Sequence, residues 1–154
     1  AFYDSSLVLY RKLDDKKGMA AVLNYIGIVY QKMGEFRQAI DFTLQGLVVR
    51  KKTDDHLGII FSYLNVGNIF LAGGQPEMAI NYYQEGIDYA AQKKMKPPVM
   101  AYNVMGNAYL KLGDLANAGK YLLPLSGKMI NTYPDKLLVG KLYLAMDKLV
   151  SASI

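Results

Sequence analysis

The chain has 154 residues, and 18 Lys and Arg against 13 Asp and Glu give it a formal net charge of +5. This length fits one compact domain or one short repeat array. Cysteine and tryptophan are absent and His56 is the only histidine, which excludes disulfides, thiol nucleophiles, Cys/His zinc sites and histidine-based triads. We therefore expect a binding module rather than an enzyme, with no cofactor and no bound metal.

An internal repeat organises the chain. Gly27, Gly67 and Gly106 are separated by 40 and 39 residues. Three further classes of residue follow these glycines at fixed distances: an aromatic residue after three positions (Tyr30, Phe70, Tyr109), a second glycine after seven (Gly34, Gly74, Gly113) and an alanine after twelve (Ala39, Ala79, Ala118). Four residue classes in register across three copies indicate an array of similar structural units.

Each unit is predicted to contain two helices. Apolar residues such as Leu23, Ile26 and Tyr30 share one helical face. The glycines at the second register are suited to left-handed turns between the helices of a unit, and Asp or Pro residues at the junctions are suited to helix starts. In chain order, the predicted helices cover about 2–13, 17–33, 36–52, 56–72, 76–94, 98–112, 115–131 and 135–150. No strand is predicted, and the expected class is all-α.

The glycines at the first register lie inside predicted helices, where glycine costs about 1 kcal/mol relative to alanine. Their return at one register therefore needs a packing cause. We expect each to allow close approach of the second helix of its own unit at the matching alanine, pairing Gly27, Gly67 and Gly106 with Ala39, Ala79 and Ala118.

The stretch from Leu57 to Pro76 contains no charged residue and has the length needed to cross a bilayer. It also contains Ser62, Asn65 and Asn68, and the two amides lie three residues apart on one helical face. A helix buried on most sides by neighbouring helices explains this composition better, so we expect no membrane span.

The pattern Leu23-x-x-Ile26-Gly27-x-x-Tyr30, followed by Gly34 and Ala39-Ile40, resembles the tetratricopeptide repeat, and the copies around Gly67 and Gly106 match it as well. The resemblance implies a right-handed α-solenoid of helix-turn-helix units that binds proteins or peptides. The period of 39 to 40 residues exceeds the family's usual 34. Long repeats with this sequence motif are similar to those of bacterial sensor histidine kinases and transcriptional regulators.

We expect a single solenoid over residues 1–154, made of a partial repeat (1–15), three repeats (16–55, 56–95, 96–134) and a second partial repeat (135–154). Solenoid ends normally carry polar caps, and neither end shows one. This predicts a fragment of a larger protein, with open ends that allow self-association.

In the tetratricopeptide family the first helices line a concave groove, and the resemblance places five amides there. A carboxamide can donate to a backbone carbonyl and accept from a backbone N–H, so a ladder of them can hold an extended peptide. The alternative is that the amides cap helices, bridge neighbouring helices or face water. The predicted peptide-binding residues are Asn24, Asn65, Asn68, Asn103 and Asn107, with Lys32 and Lys111 adding positive charge one turn further along.

Chaperone-binding relatives clamp a terminal carboxylate with Lys, Asn and Arg. At the matching positions this chain has Asn24 and Ile28, then Asn65, then Met100 and Val104. Because only one position fits, we do not expect that clamp here.

Basic clusters end the second helices of successive units: Arg11-Lys12, Arg50-Lys51-Lys52 and Lys93-Lys94-Lys96. They could attract acidic protein or phosphate, but favourable placement of cations at helix C-termini explains them better, and no nucleic acid partner is expected. Asp54, Asp55 and His56 are interpreted as a solvated junction rather than a metal site. Pro124 is expected to kink the helix that contains it.

The expected function is a protein- or peptide-binding input segment of a bacterial signalling protein, and the alternative is a constitutive assembly scaffold without a switching role. The absence of cysteine fits a cytoplasmic and a periplasmic location equally.

Overall fold

The computed structural model describes Tyr10, residues 14–125 and residues 133–152. These residues form seven α-helices and no strand, as predicted. The helices are α1 (Lys16–Lys32), α2 (Phe36–Arg50), α3 (His56–Ala72), α4 (Pro76–Gln92), α5 (Val99–Leu112), α6 (Leu115–Leu122) and α7 (Tyr133–Ala152), with a 3-10 turn over Leu123–Leu125. The helix predicted over 2–13 lies almost wholly outside the described residues.

The chain divides into two compact units, with the boundary between Pro97 and Pro98. In the first unit α1 pairs with α2 and α3 pairs with α4, and α3 packs against α2 and, more lightly, against α1. In the second unit α5 pairs with α6, and α7 packs against both. The described helices thus form three successive helix-turn-helix hairpins, α1–α2, α3–α4 and α5–α6.

Short local signals start and end these helices. Asp15, Asp55 and Asp114 precede α1, α3 and α6, and the side chain of each accepts a hydrogen bond from a backbone N–H in the first turn, at 2.9 to 3.0 Å. A carboxylate at this position satisfies a donor that the helix itself leaves unpaired. The turns within the hairpins contain Gly34, Gly74 and Gly113, whose φ values of 76 to 80° confirm the predicted left-handed conformation.

The uncharged stretch after residue 56 forms α3, which is buried on most sides. Ten of its seventeen residues are buried, among them Ile59, Ile60, Leu64 and Val66. None of the helices within residues 14–125 and 133–152 is both long and apolar enough to cross a membrane. The expectation of a helix enclosed by its neighbours is confirmed, and packing on several faces explains its lack of charge.

Stacked aromatic pairs join the two helices of each hairpin. Tyr30 stacks on Phe42, Phe70 on Tyr82 and Tyr109 on Tyr121, with ring centroids 5.3 to 5.7 Å apart and planes within 14° of parallel. Their equivalent spacing in the sequence shows that Phe42, Tyr82 and Tyr121 form a further register of the repeat, which the sequence analysis missed.

The glycines inside the first helices lie at close helix crossings. A β-carbon at Gly27 would lie 2.0 Å from the Thr43 hydroxyl and 2.9 Å from the Ala39 carbonyl oxygen. At Gly67 it would lie 2.3 Å from the Tyr83 ring. At Gly106 the three nearest atoms all belong to Leu122. The side chain sixteen residues after each glycine, which varies among repeats, therefore lies nearer than the alanine side chain that was expected to fill this role.

Helix α6 is shorter than predicted. Instead of a kinked helix over 115–131, the α-helix ends at Leu122 and a 3-10 turn runs through Pro124. Proline has no N–H to donate, and its ring clashes with the carbonyl four residues earlier, which lies in α6. In the second unit Ala118 and Leu122 pack with Val139 and Leu142 of α7.

Candidate functional site

The predicted amides fall into both units: Asn24, Asn65 and Asn68 lie on α1 and α3, and Asn103 and Asn107 lie on α5. Asn24 is buried at 7% exposure. Its amide nitrogen donates to the Ser62 hydroxyl at 3.1 Å, and this hydroxyl donates to the Gly58 carbonyl at 3.0 Å. Asn24 thus links α1 to α3, which is the bridging alternative considered for these amides, rather than facing an open groove.

Asn68 also makes contacts within the protein. Its side-chain oxygen accepts a hydrogen bond from the Tyr83 hydroxyl at 2.8 Å, and its backbone carbonyl accepts one from the Gln31 amide at 3.3 Å. Burial raises the pKa of Tyr83 above its usual range, which keeps the hydroxyl protonated as the donor. Asn68 therefore connects α3 to α4 through its side chain and to α1 through its backbone.

Asn65 is out of register with the other amides. Asn24 and Asn103 lie three residues before their repeat glycine, whereas Asn65 lies two before it. The true counterpart in α3 is Leu64, which is fully buried. One position rotates a side chain by about 100° around a helix, so Asn65, which is half-buried, does not lie on the face that corresponds to Asn24 and Asn103.

In the second unit, Asn103 and Asn107 are half-buried and Lys111 is exposed. Met100, one turn before Asn103, is 49% exposed. The accessible part of α5 thus mixes a thioether, an amide and a cation.

In the first unit the accessible residues of α1 and α3 include three that the sequence analysis did not assign to a binding surface, Ile28, Gln31 and Phe61. Ile28 and Asn68 each follow a repeat glycine, and Phe61 lies two turns before Asn68 on the same helical face. Ile28, Phe61 and Gln31 are half-buried and Lys32 is exposed. We name Ile28, Gln31, Lys32, Phe61 and Asn68 the first-helix surface. The seven-residue spacing of Phe61 and Asn68 was the signal that could have identified it.

Some residues of the basic clusters make contacts within the protein. Arg50 is only 11% exposed at its side chain, lies 3.6 Å from the Asp55 carboxylate and donates to the Gly58 carbonyl at 3.0 Å. Lys51 and Lys93 lie over the rings of Tyr63 and Tyr89, 4.8 and 5.7 Å from their centroids. The cluster Arg11-Lys12 lies outside the described residues.

The consecutive residues Asp54, Asp55 and His56 have separate contacts. Asp55 caps α3 and pairs with Arg50, whereas the His56 ring nitrogen lies 2.9 Å from the Tyr89 hydroxyl. Asp54 is exposed. Over residues 14–125 and 133–152, no group of three or more His, Asp or Glu side chains is placed to hold a metal ion.

Comparisons with solved structures give the fold. BtubC (BKLC) from P. vanneervenii superimposes with a TM-score of 0.79 at 15% identity, over 94% of this chain and 64% of that one. The TPR2AB domain of yeast Sti1, solved as a complex with pHSP90, gives 0.69 at 21% identity, over 88% of this chain and 49% of that one. The N-terminal domain of STI-1 from C. elegans gives 0.63 at 16% identity, over 86% and 98%. The chain thus spans less than two thirds of the length of the first two.

Sequence comparison gives the family. No curated protein matches the chain significantly. Models of the tetratricopeptide repeat match residues 18–92 and 101–123, which together make up more than half of the chain. These matched residues contain nearly all of the three hairpins, with their turn glycines and their stacked aromatic pairs. The fold is that of a protein-interaction module, and the chain belongs to the tetratricopeptide repeat family.

Proposed function

We propose that this chain is a non-catalytic module that binds a protein or peptide on the first-helix surface and serves as the sensory or regulatory input segment of a bacterial signalling protein. The observation that carries the proposal is the pair of hydrogen bonds joining α1 and α3, Asn24 to Ser62 and Gln31 to the Asn68 carbonyl. They hold two helices side by side with apolar, amide and cationic groups at the surface. A surface arranged before binding loses less conformational entropy when a ligand docks.

The chemistry of this surface fits an extended segment with an apolar anchor. Ile28 and Phe61 supply apolar area, and Lys32 supplies an exposed positive charge. The fold supports this kind of partner, since the yeast Sti1 domain of the same fold was solved with pHSP90. Lys111 and Asn107 on α5 give the second unit a similar set of groups.

The signalling role rests on the connection from this surface to the second helix of the same repeat. Asn68 lies at the surface, and its side chain is bonded to Tyr83 of α4. A ligand that displaces Gln31 or Asn68 would therefore change the packing of α4, which the ligand does not touch. In the alternative, a constitutive assembly scaffold, binding leaves α4 unchanged.

Selection of displayed peptides on the full chain would test the surface. Phe61→Ala should weaken a selected peptide by about tenfold or more, because a central aromatic contact is lost. Lys32→Glu should weaken an acidic peptide, whereas Lys52→Glu, an equal change of charge away from this surface, should not. Peptides that bind both first-helix variants like the unchanged protein would place the binding function elsewhere.

Hydrogen exchange with and without the selected peptide separates the two roles. We expect slower or faster amide exchange in α4 as well as at the contact residues if binding is relayed. Changes confined to α1 and α3 would contradict the input-segment role and favour the scaffold.

A further inference from the structure

A cavity of about 340 Å³ lies away from the first-helix surface, between α2, α3 and α4 of the first unit. We infer that it is a second docking site, which takes an aromatic or large aliphatic side chain of a partner protein that carries acidic residues directly beside this anchor. The cavity does not depend on the first-helix surface, so the two proposals can fail separately. We name it the second-helix pocket; its lining includes Leu44, Leu47, Val48, Lys51, Tyr63, Tyr82 and Glu85.

The base of the pocket is apolar and fixed. Leu47 and Tyr63 are buried at 4% and 6% exposure and belong to one packed cluster with Ile59. Tyr82 is held by its stack on Phe70, 5.3 Å between centroids. An apolar cavity of a few hundred Å³ with a small number of polar groups at its edge is the usual form of a preformed binding site.

The rim leaves apolar area open to a ligand. Val48 is 56% exposed, whereas the preceding residue of α2, Leu47, is buried. Covering this side chain together with the base would remove apolar surface from water, which is the main favourable term in association.

Two lysines lie at one end of the pocket, where the exposed Asp54 also acts on Tyr89. Lys51 Nζ lies 4.8 Å from the centroid of the Tyr63 ring, which lies 6.4 Å from that of Tyr89, and Lys93 Nζ lies 5.7 Å from the Tyr89 ring. Lys52 is exposed but lines a separate cavity, together with Asp14, Asp15 and Val49. Arg50 does not contribute, because it is held by Asp55 and the Gly58 carbonyl.

This charge distribution selects the chemistry of the partner. Acidic residues are favoured near Lys51 and disfavoured near Glu85, which is the exposed acidic residue of the lining. A second copy of this chain carries the same net charge of +5, which opposes self-association, so the expected occupant is an acidic partner.

A similar cavity of about 450 Å³ occurs one repeat earlier, lined among others by Leu23, Asp41 and Gln45. These residues correspond to Tyr63, Asn81 and Glu85 of the second-helix pocket, each 40 positions later. Cavities of this kind therefore result from the repeat geometry. The tyrosines and Lys51 distinguish the second-helix pocket chemically from the earlier cavity.

The test uses the full chain and three synthetic octapeptides: one with a single tryptophan followed by three glutamates, one with lysines in place of the glutamates, and one with serine in place of the tryptophan. Titrations are followed by methyl NMR and fluorescence anisotropy. The first peptide should shift the methyl signals of Leu44, Leu47 and Val48, and each of the other two should bind about tenfold or more weakly. No saturable binding of the first peptide at millimolar concentration would overturn the inference.

Substitutions at exposed positions separate the pocket from general charge. Val48→Arg should abolish binding of the acidic tryptophan peptide, because it fills the rim, while circular dichroism stays unchanged. Lys51→Glu should weaken binding about three- to tenfold, and the matched control Lys52→Glu should do so clearly less. Equal effects of the two lysine variants, or normal binding to Val48→Arg, would refute the site. Lys32→Glu on the first-helix surface should leave this binding unchanged.

Discussion

Replacing Gly67 by alanine adds a single methyl group at a close helix crossing of the first unit. The new β-carbon would lie 2.3 Å from Cε1 of Tyr83 and 3.0 Å from the Ala79 carbonyl oxygen. The Tyr83 ring is fully buried, and its hydroxyl is bonded to Asn68. The ring therefore cannot swing away without losing this bond, and the backbone of α4 must shift.

Two effects oppose each other in this variant. Overpacking a tight core costs about 1–3 kcal/mol, and the crowding by backbone and buried ring places Gly67→Ala at the upper end. Alanine gains about 1 kcal/mol over glycine inside a helix. We expect a net loss of about 2 kcal/mol of unfolding free energy, or a fall in Tm of about 4–8 °C. Gly67→Leu should be worse.

Urea unfolding monitored by circular dichroism measures this loss, and Gly119→Ala in α6 is its control. There the nearest atom to an added β-carbon is Leu123 Cδ1 at 3.5 Å, an ordinary contact. The control should be stabilised by up to about 1 kcal/mol, because it gains helix propensity without a clash. If Gly67→Ala were as stable as the unchanged protein, or shifted like the control, the close crossing would be refuted.

Three further outcomes can be checked by unfolding measurements. Asn68→Ala should lower the unfolding free energy by about 1–3 kcal/mol, because it leaves the buried Tyr83 hydroxyl without its hydrogen-bond partner. If the effects of Asn68→Ala and Tyr83→Phe were additive in the double variant, this explanation would be contradicted. Asp55→Ala should lower the unfolding free energy by about 0.5–2 kcal/mol, because the cap of α3 is lost. The control Asp54→Ala, at an exposed neighbouring position, should change it little. Hydrogen bonds from the Asn117 backbone N–H and side chain lower the pKa of Asp114 in the folded state. The stability that Asp114 contributes is therefore present above its unfolded-state pKa and is lost as the pH falls through its folded-state pKa. Asp114→Asn should remove this acid-dependent loss, and an unchanged pH profile would show that the cap does not contribute.

The prediction for Asn68 differs from the one that the sequence supports. As a groove amide, Asn68 would be exposed and replaceable by alanine at little cost in stability. The hydrogen bond from Tyr83 reverses this expectation, because the partner hydroxyl comes from a helix fifteen residues further along the chain. Loss of peptide binding in Asn68→Ala would therefore have to be separated from loss of stability. Asn107 on α5 is the better variant for that purpose.

Sequence patterns were sufficient to predict the described helices apart from the length of α6, the turns within the hairpins and the pairing of the helices. These features rest on local rules: apolar periodicity defines the buried face of α1, Asp15 and Asp55 fit helix starts, and Gly34 adopts the left-handed turn. Because the motif occurs three times, its register can be defined from the sequence without knowledge of any tertiary contact. The stacked partner Tyr82 follows the same rule, since it lies 40 residues after Phe42 and twelve after Phe70.

The roles of the polar side chains were decided by tertiary structure. A repeat pattern shows on which helix Asn24 and Asn68 lie, but not that Ser62 and Tyr83 lie within hydrogen-bonding distance of them. The register does identify Leu64 as the counterpart of Asn24, but only the structure shows that this position is fully buried. Hydrogen bonds require placement to within a few tenths of an ångström. That placement depends on how closely the helices approach, which the glycine crossings and the side chains facing them set together.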